Sequence, residues 1–132
     1  MSTLSLGRAG EESAALYLTS LGFTIVGRNV RLGHFEADIL ADDGTHLVFA
    51  EVKTRRAAPS MPSRFGRPSD AVDRRKRDCL IGFARAFWRA HAEEYPGRVP
   101  NIDVIEVYAD PASAQYRVLE IRRYANAIRP GD

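Results

Sequence analysis

The chain has 132 residues, of which 45% are hydrophobic and 27% are charged. This length allows one domain with a real hydrophobic core, and the composition excludes a wholly disordered chain. The single cysteine, Cys79, excludes an intrachain disulfide, and no pairing of cysteine with histidine indicates a zinc site. We therefore expect one domain over residues 1–132, with its core from about residue 7 to about residue 122.

The start of the chain shows no sign of a targeting segment. Residues 1–8 lack the basic stretch and the long apolar core of a signal peptide. Nowhere does the sequence approach the roughly 18 consecutive apolar residues that a membrane-spanning helix needs. We expect a cytoplasmic protein without a membrane partner, and the lone cysteine fits that reducing compartment.

The first predicted elements are a helix and a strand. Apolar residues recur at helical spacing from Glu11 to Leu21, and Gly22 is a typical helix stop. Residues 23–30 are rich in β-branched and apolar side chains, which predicts the first strand.

A β-hairpin follows, with strands over Phe35–Ala41 and His46–Lys53. The connection contains Asp43-Gly44, two residues that tolerate positive φ. If those two residues form the whole loop, the register places Glu36 opposite Glu51.

The second half of the chain begins with an irregular segment. Residues 54–68 contain three prolines and Gly66, which predicts a basic loop. Ser69 is predicted to cap a long helix that runs to about Glu94. Residues 102–108 and 115–122 are predicted as two more strands. The order αβββαββ predicts an α/β fold, a mixed sheet with helices on both faces.

The hairpin brings acidic and basic side chains to one face. Because strand residues two apart point the same way, Asp38, Glu51 and Lys53 are predicted to converge. Converging carboxylates need a cation between them, and Mg²⁺ binds oxygen ligands of this kind, with the Val52 carbonyl as a third ligand. Lys53 would then orient the attacking water or stabilise charge on the attacked phosphate.

The other interpretation is an exposed, charged sheet face on which Lys53 merely pairs with Glu51. Glu51 interrupts the apolar run 47–50, where an uncompensated charge is costly if both sheet faces are covered, and this favours the metal site. Glu36 either supports the ligands of this site or binds a second metal ion, or it is the partner of a nearby arginine. His34 and His46 flank the hairpin, as bases or as surface residues.

Positive charge is concentrated directly after the hairpin. Residues 53–77 contain nine cations and two anions, a net charge of +7 in a chain whose total is +2. Such asymmetry is typical of a phosphate-binding face, although a solvated arginine-rich surface would look the same. The predicted nucleic-acid contacts are Arg55, Arg56, Arg74, Arg75 and Lys76.

These motifs resemble those of the PD-(D/E)xK nuclease superfamily. Asp38 matches its metal-binding aspartate, and Glu51-Val52-Lys53 matches its E-x-K element. The chain resembles more closely the YraN-like family of uncharacterised bacterial proteins, which is itself similar to archaeal Holliday junction resolvases. The matching blocks span about Gly7 to Val107 and include GRAGE, EAD and VFAEVKTR. E-x-K alone is common by chance, whereas this ordered set is specific.

The resemblance implies a restriction endonuclease-like fold and a function. It implies hydrolysis of phosphodiester bonds in structured or branched DNA, with Mg²⁺ or Mn²⁺ as cofactor, and it gives Glu11 a place in the metal cluster. Resolvases work as symmetric dimers, so a homodimer is a further expectation. His34-Phe35 and Ala37 depart from the family's usual residues before Asp38, which affects the expected shape of the pocket.

Two other functions fit the same residues. The first is a non-catalytic nucleic-acid-binding module that recruits DNA-processing partners. The second is a nuclease directed at RNA, because a basic groove recognises backbone charge first.

Overall fold

A computed structural model describes residues 3–58 and 72–130 of the chain. The elements follow one another in the predicted order αβββαββ. They are α1 (Thr3–Ser20), β1 (Thr24–Leu32), β2 (Phe35–Asp42), β3 (His46–Arg56), α2 (Arg74–His91), β4 (Val99–Ala109) and β5 (Val118–Ile128), with a short 3₁₀ helix at Ala92–Glu94.

The five strands form one sheet in the order β1-β2-β3-β4-β5. Antiparallel pairing joins β1 to β2, β2 to β3 and β4 to β5, whereas β3 and β4 run parallel. The parallel pair requires a crossover, which α2 provides. The predicted α/β class, a mixed sheet flanked by helices, is therefore confirmed.

The first helix is longer than its apolar periodicity predicted. It begins at Thr3, not at Glu11, although Gly7 and Gly10 lower the helical propensity of this stretch. Packing explains the difference at Gly10, because a Cβ atom there would lie 1.7 Å from Thr54 Oγ1. Only glycine lets the helix approach β3 this closely. Packing of α1 against β3 therefore outweighs the low helical propensity of this stretch.

The third strand also extends beyond its predicted end at Lys53. Each residue of β3 has a partner on β4, from His46 opposite Val99 to Arg56 opposite Ala109. Residues 54–56 are therefore strand and not the start of a loop, because pairing with β4 continues past the apolar run. The remainder of the predicted loop from residue 59 lies outside the described residues.

The cap of α2 differs from the prediction. Asp73 precedes the helix, and its side chain accepts a hydrogen bond from the Lys76 amide at 2.8 Å. Asp73 thus does what was expected of Ser69, which lies outside the described residues, and the helix begins at Arg74. Its predicted end at Glu94 includes the 3₁₀ helix, which follows the last α-helical residue, His91.

The last strand lies later in the chain than predicted. β5 begins at Val118, because Gln115 is still in the connection from β4, where its amide donates to Ser113 Oγ. Asp103 is fully buried and accepts hydrogen bonds from Arg123 Nε and the Asn126 amide, both at 2.8 Å. These bonds fix an irregular stretch of β5.

A separate hydrophobic core lies on each face of the sheet, one between the sheet and α1 and the other between the sheet and α2. Leu18, Val48 and Val107 lie in the core under α1, whereas Phe49 and Phe83 lie in the core under α2, with ring centroids 5.7 Å apart. Side chains alternate along β3, so Glu51 and Lys53 continue the face that α2 covers. No helix among the described residues is both long and apolar enough to cross a membrane.

Candidate active site

The hairpin between β2 and β3 sets the register of the site. Asp42 pairs with Leu47 and Ile39 with Ala50, so the connection is longer than the two residues predicted. The Asp43 carboxylate stabilises it by accepting the amides of Thr45 and His46. The predicted register is therefore wrong by two residues. An even shift leaves the same side chains on the same face.

Asp38 lies where regular pairing between β2 and β3 ends. One step beyond the Ile39–Ala50 pair, Asp38 Oδ2 accepts a hydrogen bond from the Val52 amide at 2.8 Å. The carboxylate takes the place that a backbone carbonyl would have in a continuous ladder. This bond holds Asp38 beside the strand that carries Glu51.

Glu51 is the most perturbed acid of the site. It is 4% exposed, and burial, followed by the negative charge of Asp38, raises the pKa of its carboxyl to about 8. Lys53 Nζ lies 3.7 Å from Oε1 and Lys76 Nζ lies 3.6 Å from Oε2. Among the described residues, none donates a hydrogen bond of normal length to Oε2. The structure thus brings Asp38, Glu51 and Lys53 together.

Lys76 lies beside Glu51 and is also one of the predicted nucleic-acid contacts. It comes from the first turn of α2, and the exposed fraction of its side chain is 30%. Burial alone would lower its pKa, but the charges of Glu51, Asp38 and Glu36 raise it above the ordinary lysine value. The sequence predicts Lys76 only as a phosphate contact, because nothing in the sequence shows that α2 begins beside Glu51.

Glu11 approaches the site from the first helix. The close contact of Gly10 with Thr54 brings this turn of α1 against the end of β3. Burial, followed by the charge of Asp38, raises the pKa of Glu11. Its Oε1 atom is buried and accepts no hydrogen bond from the described residues.

Glu36 lies at the edge of this group. Its carboxylate is 3.2 Å from Arg31 Nε, so it is the partner of an arginine. Its charge also contributes to raising the pKa values of Glu11 and Lys76. Glu36 is therefore the partner of an arginine, and a role at the metal site stays a prediction.

The predicted nucleic-acid contacts fall into two groups. Arg74 and Arg75 are exposed and line a shallow depression beside His34 and Phe35. Arg55 and Arg56 lie in β3 and are half-buried. Arg55 Nε is 3.7 Å from a carboxylate oxygen of Glu106, and Arg56 donates to the carbonyl of Ser113 at 2.9 Å.

Glu106 was missed by the sequence analysis. It lies on β4 directly beside Lys53, is 1% exposed, and has Tyr108 and Tyr124 as neighbours. Burial, together with the Glu106 carboxylate, raises the pKa of both tyrosines. The signal that pointed to Glu51 was present here too, because Glu106 interrupts the apolar run of β4.

The donor chemistry of the site fits a hard divalent cation. The charge of Asp38 helps to raise the pKa of both Glu11 and Glu51, and each of those two carries a buried oxygen without a hydrogen bond. These are the oxygen ligands that Mg²⁺ and Mn²⁺ accept. As the side chains stand in residues 3–58 and 72–130, no three His, Cys, Asp or Glu side chains form a group that could hold a metal ion.

Known proteins similar to this chain carry the same family description. The model of the uncharacterised protein family UPF0102 matches residues 10–107. UPF0102 proteins of Symbiobacterium thermophilum and of an Arthrobacter species are 42% and 44% identical, over 80% and 89% of this chain and 84% and 92% of their own. That of Caldicellulosiruptor saccharolyticus is 35% identical over 97% of this chain and all of its own.

A solved structure is also among the similar proteins. It is that of Hjc, a Holliday junction resolvase from the archaeal hyperthermophile Archaeoglobus fulgidus. It is 19% identical, with a TM-score of 0.49, and the match covers 89% of this chain and 75% of Hjc. The family model and the curated relatives confirm the resemblance to the YraN-like proteins, and the chain belongs to the UPF0102 family.

Proposed function

We propose that this chain is a metal-dependent endonuclease that hydrolyses phosphodiester bonds in structured or branched DNA. The observation that carries the proposal is the pair formed by the buried Glu51 and the half-buried Asp38. Two carboxylates placed together, one of them out of water, repel each other unless a proton or a cation lies between them. The pKa of Glu51, raised to about 8, is the effect of that arrangement.

A divalent cation would resolve the repulsion. Mg²⁺ or Mn²⁺, held by Glu11, Asp38, Glu51 and the Val52 carbonyl, would supply an acidified water and neutralise charge on the attacked phosphate. The Val52 amide fixes Asp38 in advance, because it donates to Oδ2. Lys76 pairs with the Glu51 oxygen that has no hydrogen bond, so Lys76 competes with a cation for that oxygen.

Lys53 supplies the other chemical function. Its ammonium lies 3.7 Å from Glu51 and the exposed fraction of its side chain is 34%, so it reaches both the carboxylate centre and the solvent side. A protonated lysine cannot ligate a cation, but it can donate hydrogen bonds to phosphate oxygens. We assign it to orienting the attacking water and stabilising charge that develops on the phosphate.

The second candidate is a nucleic-acid-binding module of the same fold without catalysis. It is favoured by the two lysines that pair with Glu51, since they offset part of its charge without a metal. The exposed Arg74 and Arg75 would serve this function equally well. A homodimer, an RNA substrate and the cytoplasmic location stay predictions.

A cleavage screen separates the two candidates. The chain and its Asp38→Asn variant are incubated with Mn²⁺ or Mg²⁺ and with linear, flapped and four-way DNA and matched RNA. The nuclease predicts metal-dependent cleavage of a branched substrate by the parent and none by the variant. Binding without cleavage by the parent supports the module, and equal cleavage by both proteins contradicts the site. Circular dichroism verifies that the variant is folded.

A further inference from the structure

An apolar groove lies at the other end of the sheet face that carries the candidate site. It has a volume of about 440 Å³ and is enclosed by the second half of α2, the start of β4 and the end of β5. Ile102 and Ile128, 4% and 1% exposed, form its buried part, and the half-buried Ile81 and Trp88 form the wall on α2. The groove has the size of a ligand site in a protein.

The charged residues along this groove all have one sign. Arg85 and Arg89 are exposed and four residues apart, so they lie on one side of α2 beside Trp88. Within the part of the chain that the structure describes, no carboxylate lines the groove. The surface therefore combines a concave apolar floor with a positive border.

We propose that this groove binds an acidic peptide segment of a partner protein, with apolar side chains against Trp88 and Ile102 and carboxylates on Arg85 and Arg89. Apolar burial supplies the affinity, and the two arginines select acidic sequences. Partly desolvated arginine–carboxylate pairs at the edge of an apolar contact also fix the direction of the peptide.

Two other occupants fit these features less well. Protein–DNA interfaces are more polar than this aliphatic floor, although the arginines alone would suit phosphates. A second copy of the chain docked symmetrically through the groove would bring the same surface patch of both copies together. Each patch carries Arg85 and Arg89, and no carboxylate of the described residues lines it, so like-charge repulsion opposes this dimer.

The groove and the candidate site are made of different residues. Ile102 of β4 lines the groove, two residues before Val104, which lies beside Glu51 of β3. None of the described residues that line the groove belongs to the candidate site. The proposal therefore holds whether or not the chain cuts DNA.

Selection from a library of random ten-residue displayed peptides tests the proposal on the full chain. We expect the enriched peptides to combine Asp or Glu with large apolar residues. Trp88 is the only tryptophan, so its fluorescence reports binding of each selected peptide directly. Arg85→Ala with Arg89→Ala should weaken binding about tenfold or more.

A matched control removes the same charge elsewhere. Arg8→Ala with Arg117→Ala changes two exposed arginines that do not line the groove, and peptide affinity should stay within twofold. Enrichment of basic or uncharged peptides, or no enrichment, overturns the proposal. So does an equal loss in both double variants. Displacement of the peptide by single-stranded DNA, or a dimer that only the Arg85 and Arg89 variant alters, would assign the groove to those occupants instead.

Discussion

Two buried glutamates lie on one face of the sheet, on neighbouring strands, and differ in what surrounds them. Glu51 and Glu106 are 4% and 1% exposed, and each has a cationic nitrogen within 3.7 Å. Glu51 also faces a second carboxylate, that of Asp38, and its pKa rises to about 8. Glu106 has the hydroxyl-bearing side chains of Tyr108 and Tyr124 as neighbours.

These different surroundings make Glu51 a candidate metal ligand, whereas we interpret Glu106 as a structural carboxylate. Around Glu106, whose two buried oxygens also accept no hydrogen bond from the described residues, the protein supplies a cation and two phenol groups as neighbours. Around Glu51, burial and a like charge act together, and the two lysines offset them only in part. Burial of an acid is therefore a weaker indication of a metal site than the convergence of two acids.

The largest expected effect is on catalysis. Lys53→Ala should lower single-turnover cleavage by roughly 10²-fold or more, because it removes a preorganised contact to developing charge. Metal binding should stay intact or become tighter, since a positive neighbour of Glu51 is lost. Saturating enzyme removes the binding contribution from the measured rate.

Glu106→Gln is the matched comparison for that rate. It alters the strand position beside Lys53 but leaves Asp38 and Glu51 unchanged. We expect a smaller loss of rate than for Lys53→Ala. If Lys53→Ala cuts at the parental rate, its proposed role is wrong, and if Glu106→Gln loses as much, the contrast between the two glutamates disappears.

The second largest effect is expected on the salt dependence of DNA affinity, through the exposed basic side chains. Arg74→Ala with Arg75→Ala should flatten the dependence of log affinity on log salt by up to about 2, because each phosphate contact contributes about 0.9. Arg55→Ala with Arg56→Ala should flatten it less, since these arginines lie against Glu106 and the Ser113 carbonyl. Affinities for a branched DNA at several salt concentrations measure both. A larger change for the second pair would contradict this division.

A third effect is the pH dependence of stability without metal. The folded pKa of Glu51, about 8, lies above the unfolded value of 4.5. Below pH 4.5 the group is protonated in both states, and between these pH values only the unfolded state ionises. The free energy of unfolding should therefore fall as pH rises through this window, by at most about 1.4 kcal/mol per pH unit.

Denaturant unfolding across pH 5–9 measures this slope. Glu51→Gln should be less pH-dependent than the parent, and the stability of the variant relative to the parent should rise with pH. An identical slope in the parent and in Glu51→Gln would show that Glu51 ionises normally, which would remove the electrostatic basis of the comparison.

The smallest effect is expected at Lys76. Lys76→Ala removes one of the cations that pair with Glu51, so a divalent ion should bind a few-fold more tightly. Lys76→Arg is the control that keeps the charge. Weaker Mn²⁺ binding by Lys76→Ala than by Lys76→Arg would show that Lys76 assists the ion and does not compete with it.

Part of this picture could be predicted from the sequence. The Asp-Gly turn predicted the hairpin, and the alternation of its strands predicted that Asp38, Glu51 and Lys53 share a face. The predicted register is wrong, but these side chains still share a face, because the longer connection shifts the pairing by an even number of residues. Local sequence patterns were therefore sufficient to predict the site residues that lie within one hairpin.

The rest depends on contacts between distant parts of the chain. Glu106 meets Arg55 through parallel pairing of β3 with β4, and Tyr124 reaches it from β5. Lys76 reaches Glu51 only because α2 crosses over the sheet, and Gly10 places Glu11 through its contact with Thr54. No spacing within a single element predicts these neighbours.

Calorimetric titration with Mn²⁺ of the parent, Glu51→Gln and Glu106→Gln tests the central claim most directly. The account predicts that the parent and Glu106→Gln bind Mn²⁺ with affinities within a few-fold of each other. Glu51→Gln should lose about 100-fold or more, as should Asp38→Asn, while circular dichroism shows that each variant is folded. Binding by Glu51→Gln that equals that of the parent, or an equal loss in Glu106→Gln, would contradict the assignment of the Asp38–Glu51 pair as the metal site.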